Sequence, residues 1–168
     1  MSPFTVRRGG NWQNSRMALK TRGYAHRIDI AAQPHRVWTV LCGPTLLPLW
    51  MGSGAKIKPQ QGGHFMGTIA PGFVREAMID VFEPPRRLRL IYLLPPGMDE
   101  FDGAVVDDIL LDGEVDSTIV RLLCSGVPDK VEWNGHFSRA RAATERALAR
   151  LKVLVEQRER MAAARSTT

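Results

Sequence analysis

Alternating residues predict a first β-strand from Tyr24 to Ile30. Side chains two residues apart on a strand lie on the same face of the sheet. Here every second residue is apolar or carries a ring, and Arg27 and Asp29 stand between them. The even-numbered side chains, including the ring of His26, are therefore expected to point into the protein.

Two short helices are predicted directly after this strand. In AAQPHRVWTVLCG, Pro34 suits the first turn of a helix, and Val37, Trp38 and Leu41 fall on one face. A Gly-Pro pair ends this helix. The segment PTLLPLWMG then predicts a second helix, which Pro48 keeps brief.

Six further strands are predicted by apolar runs between turns rich in Gly and Pro. They cover residues 54–59, 63–70, 73–83, 87–94, 104–112 and 117–125. Short turns such as EPPRR and DGEVDS favour antiparallel pairing of consecutive strands. Alternation places Tyr92 and Leu94 on one inner face, and it places Asp107 on the inner face beside Ile109.

The chain after Pro128 is predicted to form one long helix that ends near Arg160. Apolar residues recur there at three- and four-residue spacings, namely Phe137, Ala140, Ala147, Leu148, Leu151, Leu154 and Val155. Alanines let the middle of the helix approach the sheet, whereas Trp133 and Phe137 hold its start away. The prediction is an α+β fold: a curved antiparallel sheet of about seven strands around a long C-terminal helix, two short helices after strand 1, and an apolar cavity.

The formal net charge of +6 is concentrated at the N-terminus. Residues 1–23 include five basic residues and no acidic one, which leaves 18 basic and 17 acidic residues for the rest. We expect a disordered basic tail over 1–23, one domain over 24–160 and a disordered tail over 161–168. The nearly neutral body argues against nucleic acid as a partner.

Cofactor, metal and membrane signatures are missing from the sequence. No apolar run is long enough to span a membrane, and the first 23 residues lack a secretory signal. Cys42 and Cys124 lack metal-ligand spacing, and nucleophile elbows, P-loops, dinucleotide fingerprints and HExxH motifs do not occur. We therefore expect a cytoplasmic protein with no cofactor, no metal and no membrane partner.

Several segments resemble the START-like, polyketide-cyclase-related (SRPBCC) superfamily, in the branch named for homologues of the heat-shock-protein ATPase activator. They are IDIAAQPHRVWTVLCGPTLLPLW, KPQQGGHF, FEPPRRLRLIY, LDGEVDSTIVRLLCSGVP and ALARLKVL, and the resemblance covers about Tyr24 to Gln157. It implies a helix-grip fold, a small hydrophobic ligand and the option of a homodimer. Thr144 stands where members of this branch often have Trp, and Trp133 is expected to supply the missing bulk.

Two residues are candidates for acid–base catalysis inside the cavity. His26 points inward by strand parity, and histidine is a residue type suited to acid–base work at neutral pH. Asp107 also points inward, where a carboxylate needs a partner, and His26 or Tyr92 could be that partner. The alternatives are that His26 is a core residue and that a bulge exposes Asp107.

Eight residues are expected to form the wall and mouth of the cavity, since small-molecule sites are mostly apolar with a few polar groups. They are Trp50, Phe65, Met78, Tyr92, Leu94, Ile109, Trp133 and Phe137. Core packing would use the same residue types, so the list alone does not separate a ligand site from a core.

Three functions remain open at this point. The first is binding of an apolar or aromatic metabolite in the internal cavity. The second is an enzyme of the cyclase, aromatase or dehydratase kind that uses the same cavity. The third is a protein-interaction module like the chaperone activators, which would need an exposed apolar patch, expected near Ile119 and Leu123.

Overall fold

A computed structural model, which describes residues 18–168, shows seven strands in one antiparallel sheet. The strands are β1 (Thr21–Ile30), β2 (Lys56–Ile57), β3 (His64–Ala70), β4 (Phe73–Glu83), β5 (Arg87–Tyr92), β6 (Val106–Gly113) and β7 (Thr118–Pro128). Their order across the sheet is β1-β7-β6-β5-β4-β3-β2, so β1 leaves its sequence neighbours and pairs with β7. All other neighbours are consecutive in the chain, as the short turns predict.

Three helices pack on one face of this sheet. They are α1 (Pro34–Cys42), α2 (Leu47–Met51) and α3 (Asn134–Arg165), and a 3-10 turn at Val131–Trp133 leads into α3. The buried side of α3 consists mainly of small and aliphatic residues: Ala140, Ala143, Thr144, Ala147, Leu148, Leu151 and Val155. The predicted helix-grip arrangement of a curved sheet around a long C-terminal helix is confirmed.

The domain extends beyond its predicted limits at both ends. Thr21 pairs with Pro128 and Arg22 with Val127, so β1 starts before the predicted boundary at residue 24. Helix α3 continues to Arg165, since the segment MAAAR consists mainly of strong helix formers. Most of the predicted C-terminal tail over 161–168 is therefore helical, and residues 1–17 of the N-terminal tail lie outside the described residues.

Strand β4 decides which side chains reach the interior near α3. Its burial alternates strictly from Phe73 to Ile79, so Arg75 and Ala77 point inward. Met78 points outward on the same strand. An arginine therefore lies among the buried residues of the concave face.

Candidate functional site

Three polar side chains meet on the concave face of the sheet. Arg75 Nη1 donates to Asp107 Oδ2 over 3.2 Å, and the Tyr92 hydroxyl donates to the same oxygen over 2.8 Å. The Arg75 guanidinium carbon also lies 3.7 Å from the centre of the Tyr92 ring. Arg75 is 6% exposed and Asp107 is 2% exposed. We call these three residues the Arg-Asp-Tyr cluster.

The register of the central strands brings the cluster together. Ala77 lies opposite Tyr92, and Leu90 lies opposite Asp107. Arg75 is therefore two residues from the position opposite Tyr92, and Tyr92 is two residues from the position opposite Asp107. Such diagonal neighbours are about 7–8 Å apart at the backbone, within reach of long side chains. The small side chain of Ala77 leaves Arg75 room to extend toward Asp107.

Burial and mutual contact determine the protonation of the cluster. Burial raises the pKa of Tyr92 well above its ordinary value, and Asp107 raises it further against the opposing effect of Arg75. Burial disfavours the Arg75 cation, but Tyr92 and Asp107 outweigh this effect, so the pKa of Arg75 lies above its ordinary value. At neutral pH Tyr92 is therefore a hydrogen-bond donor and Arg75 is a cation.

The cluster does not satisfy all of its own hydrogen-bonding atoms. Arg75 Nε, Arg75 Nη2 and Asp107 Oδ1 are shielded from solvent, and none has a hydrogen-bond partner among residues 18–168. Buried polar groups in proteins almost always have partners, and an unpaired one costs about 1–3 kcal/mol. Two donor nitrogens and one acceptor oxygen are thus left unpaired on the concave face of the sheet.

A cleft of about 230 Å³ opens beside the cluster at one end of the sheet. Its lining comes from β4, the end of β5, the following loop and the start of α3: Val74, Arg75, Glu76, Tyr92, Leu93, Leu94, Pro95, Pro96, Val105 and His136. Most of these side chains are apolar. The cleft therefore has an apolar wall and reaches a buried cation.

A second depression of about 160 Å³ adjoins this cleft beneath the loop between β5 and β6. It shares Tyr92, Leu94 and Val105 with the cleft and adds Phe101 and Trp133 on its far side. The rings of Phe101 and Trp133 pack edge to face with their centres 5.5 Å apart. The two spaces adjoin along the 93–105 loop, and we refer to them together as the outer cleft.

The space enclosed between α3 and the sheet is far smaller than the sequence predicts. It measures about 20 Å³, which is room for one water molecule. Ala140, Ala143 and Ala147 bury the middle of α3 in the core, and Thr144 lines the remaining space. The prediction of an internal apolar cavity fit for a small ligand is therefore wrong: the structure has a small inner cavity and a larger outer cleft. Arg75 and Tyr92 line both spaces and form the wall between them.

His136 lies at the cleft and is uncharged at neutral pH. Its ring packs edge to face on Phe73 and Trp133, with centre distances of 5.2 and 5.3 Å. Burial, together with the positive charges of Arg75 and Arg139, lowers the pKa of His136 from 6.5 to about 4. Its ring is therefore a neutral donor or acceptor at the cleft wall, not a cation.

The predicted site residues divide between the two spaces. Trp50, Phe65 and Ile109 line the inner cavity with Asp107, while Leu94 and Trp133 line the outer cleft and Tyr92 touches both. Trp50 also donates its indole N–H to the Val40 carbonyl over 3.1 Å, so it is fixed within the core. Trp133 closes the cleft and does not line the inner space beside Thr144.

Three predicted positions lie elsewhere. Met78 is 49% exposed on the outer face, because it alternates with the inward Ala77 and Ile79. His26 lies between β1 and α3, where its Nε2 is 3.1 Å from the Arg141 carbonyl, so it is not the partner of Asp107. Phe137 packs against the ring of Tyr24, away from both spaces.

The sequence interpretation missed Arg75 and His136. The signal for Arg75 was present, since the alternation of Phe73, Ala77 and Ile79 assigns it to the inner face. His136 carried no comparable signal, because its position depends on where the 3-10 turn sets the first turn of α3.

Within residues 18–168, no group of three or more His, Cys, Asp or Glu side chains is arranged to hold a metal ion. None of the helices in this part of the chain combines the length and apolarity that a membrane span requires. The expected apolar patch is also small: Leu123 is exposed, but its cross-strand neighbours on that face are Ala25 and Asp108.

No family model matches the sequence. No curated protein matches it either. Several solved structures do share its fold.

A protein from Mesorhizobium loti is 20% identical with a TM-score of 0.68, over 81% of this chain and 98% of that one. The Aha1 dimer from Colwellia psychrerythraea is 18% identical with a TM-score of 0.66, over 80% and 96%. CalU16 from Micromonospora echinospora is 21% identical with a TM-score of 0.64, over 80% and 74%. The likeness at this identity is one of fold, and it agrees with the sheet and helix described above: the chain has the START-like helix-grip fold.

Proposed function

We propose that the protein binds a small, mainly apolar molecule in the outer cleft, with the polar end of the molecule directed at the Arg-Asp-Tyr cluster. The observation that carries this proposal is the buried guanidinium of Arg75, a residue of the cleft wall, which has two nitrogens without a protein partner among the described residues. An apolar wall with a few convergent polar groups is the usual form of a small-molecule site.

The position of the cleft in the fold also supports binding. It lies where β5 ends and the loop of residues 93–105 begins, and loops held on a rigid scaffold commonly carry binding residues. Tyr92 N–H donates to the Val105 carbonyl and Leu93 N–H donates to the Glu76 carbonyl, so both ends of the cleft floor are fixed by backbone hydrogen bonds. The floor is thus preorganised and does not need to fold around a ligand.

Native mass spectrometry of the full chain, purified from its own host, tests this proposal. We expect a mass shift of a few hundred daltons or less that disappears on denaturation, because a cleft of about 230 Å³ admits only a small ligand. Leu94→Trp should abolish the shift, since Leu94 lines both parts of the cleft and is 39% exposed. A larger indole there fills the cleft with little change to the core.

Val115→Trp is the matched control for this variant. Val115 is 86% exposed, between β6 and β7, and lines neither part of the cleft. Retention of the same mass shift in both variants would contradict binding in the cleft, and a bare wild-type protein would contradict the presence of a retained ligand.

A proton-transfer enzyme of the cyclase or dehydratase kind is the second candidate, favoured by the free oxygen of Asp107. Its Oδ1 faces the interior without a partner among residues 18–168, while Oδ2 is held by Arg75 and Tyr92. A carboxylate fixed in this way can accept a proton from a bound molecule. Asp107→Asn keeps the shape and removes the base.

Mass spectrometry separates the carrier from this enzyme. For an enzyme, Asp107→Asn purified from the host should retain an unconverted precursor whose mass differs from that of the wild-type ligand. For a carrier, the two proteins should retain the same mass.

Homodimer formation is a further proposal, raised by the likeness to the Aha1 dimer. Light scattering during size-exclusion chromatography tests it directly, with twice the chain mass expected.

The chaperone-activator alternative has less support, because the exposed Leu123 borders Ala25 and Asp108 and not further apolar side chains. A pull-down in which the wild-type protein binds a heat-shock chaperone and Leu123→Asp does not would support this alternative.

A further inference from the structure

Arg75 and Arg87 differ in whether the Nε–H and Nη2–H groups of the guanidinium are paired with a carboxylate, and this difference indicates what the cleft binds. Arg87, on the outer face, places Nε 2.9 Å from Asp108 Oδ1 and Nη2 2.8 Å from Asp108 Oδ2. This pair of parallel hydrogen bonds is the two-point geometry in which guanidinium groups hold carboxylates. Arg75 uses only Nη1 for Asp107, and its Nε and Nη2 have no partner in the described part of the chain. We call these two groups the free edge of Arg75.

We propose that the free edge of Arg75 binds the carboxylate of a small aromatic acid, an assignment that rests on the proposed binding function. A carboxylate supplies two coplanar oxygens at the spacing of Nε–H and Nη2–H. A neutral carbonyl or hydroxyl supplies one oxygen and would leave one buried N–H unpaired. The occupied edge of Arg87 shows the same match within this chain.

Four charged side chains lie at or near the cleft. Arg139 lies beside it, with its guanidinium carbon 4.6 Å from the centre of the Phe73 ring. Both Arg75 and Arg139 act on His136 as positive charges, which is part of the reason that its pKa is low. Glu76, which lines the cleft, has its Oε2 3.3 Å from His64 Nε2. Asp107 and Glu76 offset these two cations, so the choice of a carboxylate rests on the two-point geometry of the free edge and not on net charge.

The cleft dimensions favour a single ring as the body of this acid. A space of about 150 Å³ lined by apolar groups holds benzene, and the main part of the cleft measures about 230 Å³. Tyr92, Pro95 and His136 offer flat surfaces along it. Benzoate and phenylacetate are acids of this size.

The free edge is reached by opening the wall between the two spaces. Its nitrogens are shielded from solvent, and Arg75 and Tyr92 together separate the outer cleft from the inner cavity. A shift of the partly exposed Tyr92 ring would join these spaces and expose the edge to the cleft. Side-chain motions of this kind need no change in the sheet.

Titration calorimetry on the full chain tests the assignment with matched probes. Phenylacetate and benzoate should bind on the order of tenfold more tightly than phenylacetamide and benzamide, because only the acids pair with both N–H groups. Arg75→Lys keeps the positive charge but lacks the two-point edge, and it should lose this preference. Arg87→Lys is the control, since its edge already holds Asp108, and it should keep the preference.

A second measurement covers the case in which Arg75→Lys does not fold. In nitrogen-15 spectra of the wild-type protein, the Arg75 Nε–H signal should move on addition of phenylacetate and stay in place on addition of phenylacetamide. Equal affinity for acids and amides would overturn the carboxylate assignment and leave the binding function standing. If none of the four probes binds, the assignment to an aromatic acid is overturned, and the mass-spectrometric experiment decides on the cleft itself.

Discussion

Arg75 and Arg87 lie on opposite faces of the same sheet, and only Arg87 has both nitrogens of its Nε–Nη2 edge paired with a protein carboxylate. Asp107 and Asp108 are consecutive on β6, so one strand serves both arginines. The half-buried pair on the outer face is complete, whereas the buried pair has two donor nitrogens and one acceptor unpaired within residues 18–168. Because the buried position is where an unpaired group costs most, the Arg-Asp-Tyr cluster is the part of the molecule that most needs a functional explanation.

Removing Asp107 should destabilise the fold strongly. In Asp107→Ala the cation of Arg75 stays buried without its partner, and breaking such a pair costs about 3–5 kcal/mol. Urea denaturation followed by circular dichroism measures the change. Asp112→Ala breaks the exposed pair with Arg121 and should cost less than about 1 kcal/mol. Similar losses in the two variants would contradict the buried pair.

Replacing the whole pair by apolar residues should restore much of that stability. Arg75→Met combined with Asp107→Leu removes both buried charges together, and such exchanges are often neutral or stabilising. The double variant is therefore expected to unfold at a higher urea concentration than Asp107→Ala. It should also lose binding of phenylacetate, which separates the functional role of the pair from its structural role.

The hydroxyl of Tyr92 should contribute measurably to stability. Tyr92→Phe deletes the 2.8 Å hydrogen bond to Asp107, and hydrogen bonds to charged groups contribute about 1.5–3 kcal/mol. Tyr24→Phe is the matched control, since the Tyr24 hydroxyl lies 3.4 Å from the Thr144 hydroxyl and its hydrogen bond is correspondingly weak. Equal effects of the two changes would argue against the cluster geometry.

Protonation of His136 should make stability depend on pH in the acid range. Its pKa is about 4 in the folded chain and 6.5 in the absence of the fold, so the unfolded chain binds a proton first as the pH falls. The contribution of His136 is fully present above about pH 7 and is lost as the pH falls from 6.5 toward 4. A plot of the thermal unfolding midpoint against pH, between pH 4 and 7, should therefore have a shallower slope for His136→Phe than for wild type.

Gly126 should not tolerate a side chain. Its φ of +79° lies in the left-handed region, and an added Cβ would lie 2.0 Å from the Ala104 carbonyl oxygen at the end of the cleft loop. Gly126→Ala is expected to cost at least about 2 kcal/mol, measured by urea denaturation. Gly72→Ala meets no atom within 4 Å at a φ of +70°, so it should cost only about 1 kcal/mol. An equal loss of stability in both variants would contradict a destabilising contact with the Ala104 carbonyl oxygen.

Strand parity predicts many of the inward-facing residues of this chain, and the features that it does not predict have physical reasons. Alternation placed Asp107 and Ile109 inside because each strand has one buried and one exposed face. Applied to β4, the same rule puts Arg75 inside and Met78 outside. Arg75 was not predicted because charged side chains are rarely buried. The volume left between α3 and the sheet depends on how closely alanines allow the two layers to approach, and the pattern does not fix that distance. The outer cleft arises from a loop and a helix start, whose positions have no periodicity to predict them.

Binding of an aromatic acid depends most on the free edge of Arg75, and a crystal structure of the full chain with phenylacetate tests it most directly. We predict that both carboxylate oxygens lie within hydrogen-bonding distance of Arg75 Nε and Nη2, with Asp107 still bound to Nη1 and the ring in the outer cleft. A structure in which Nε and Nη2 are paired with atoms of the protein, or in which the acid lies away from Arg75, would contradict the account.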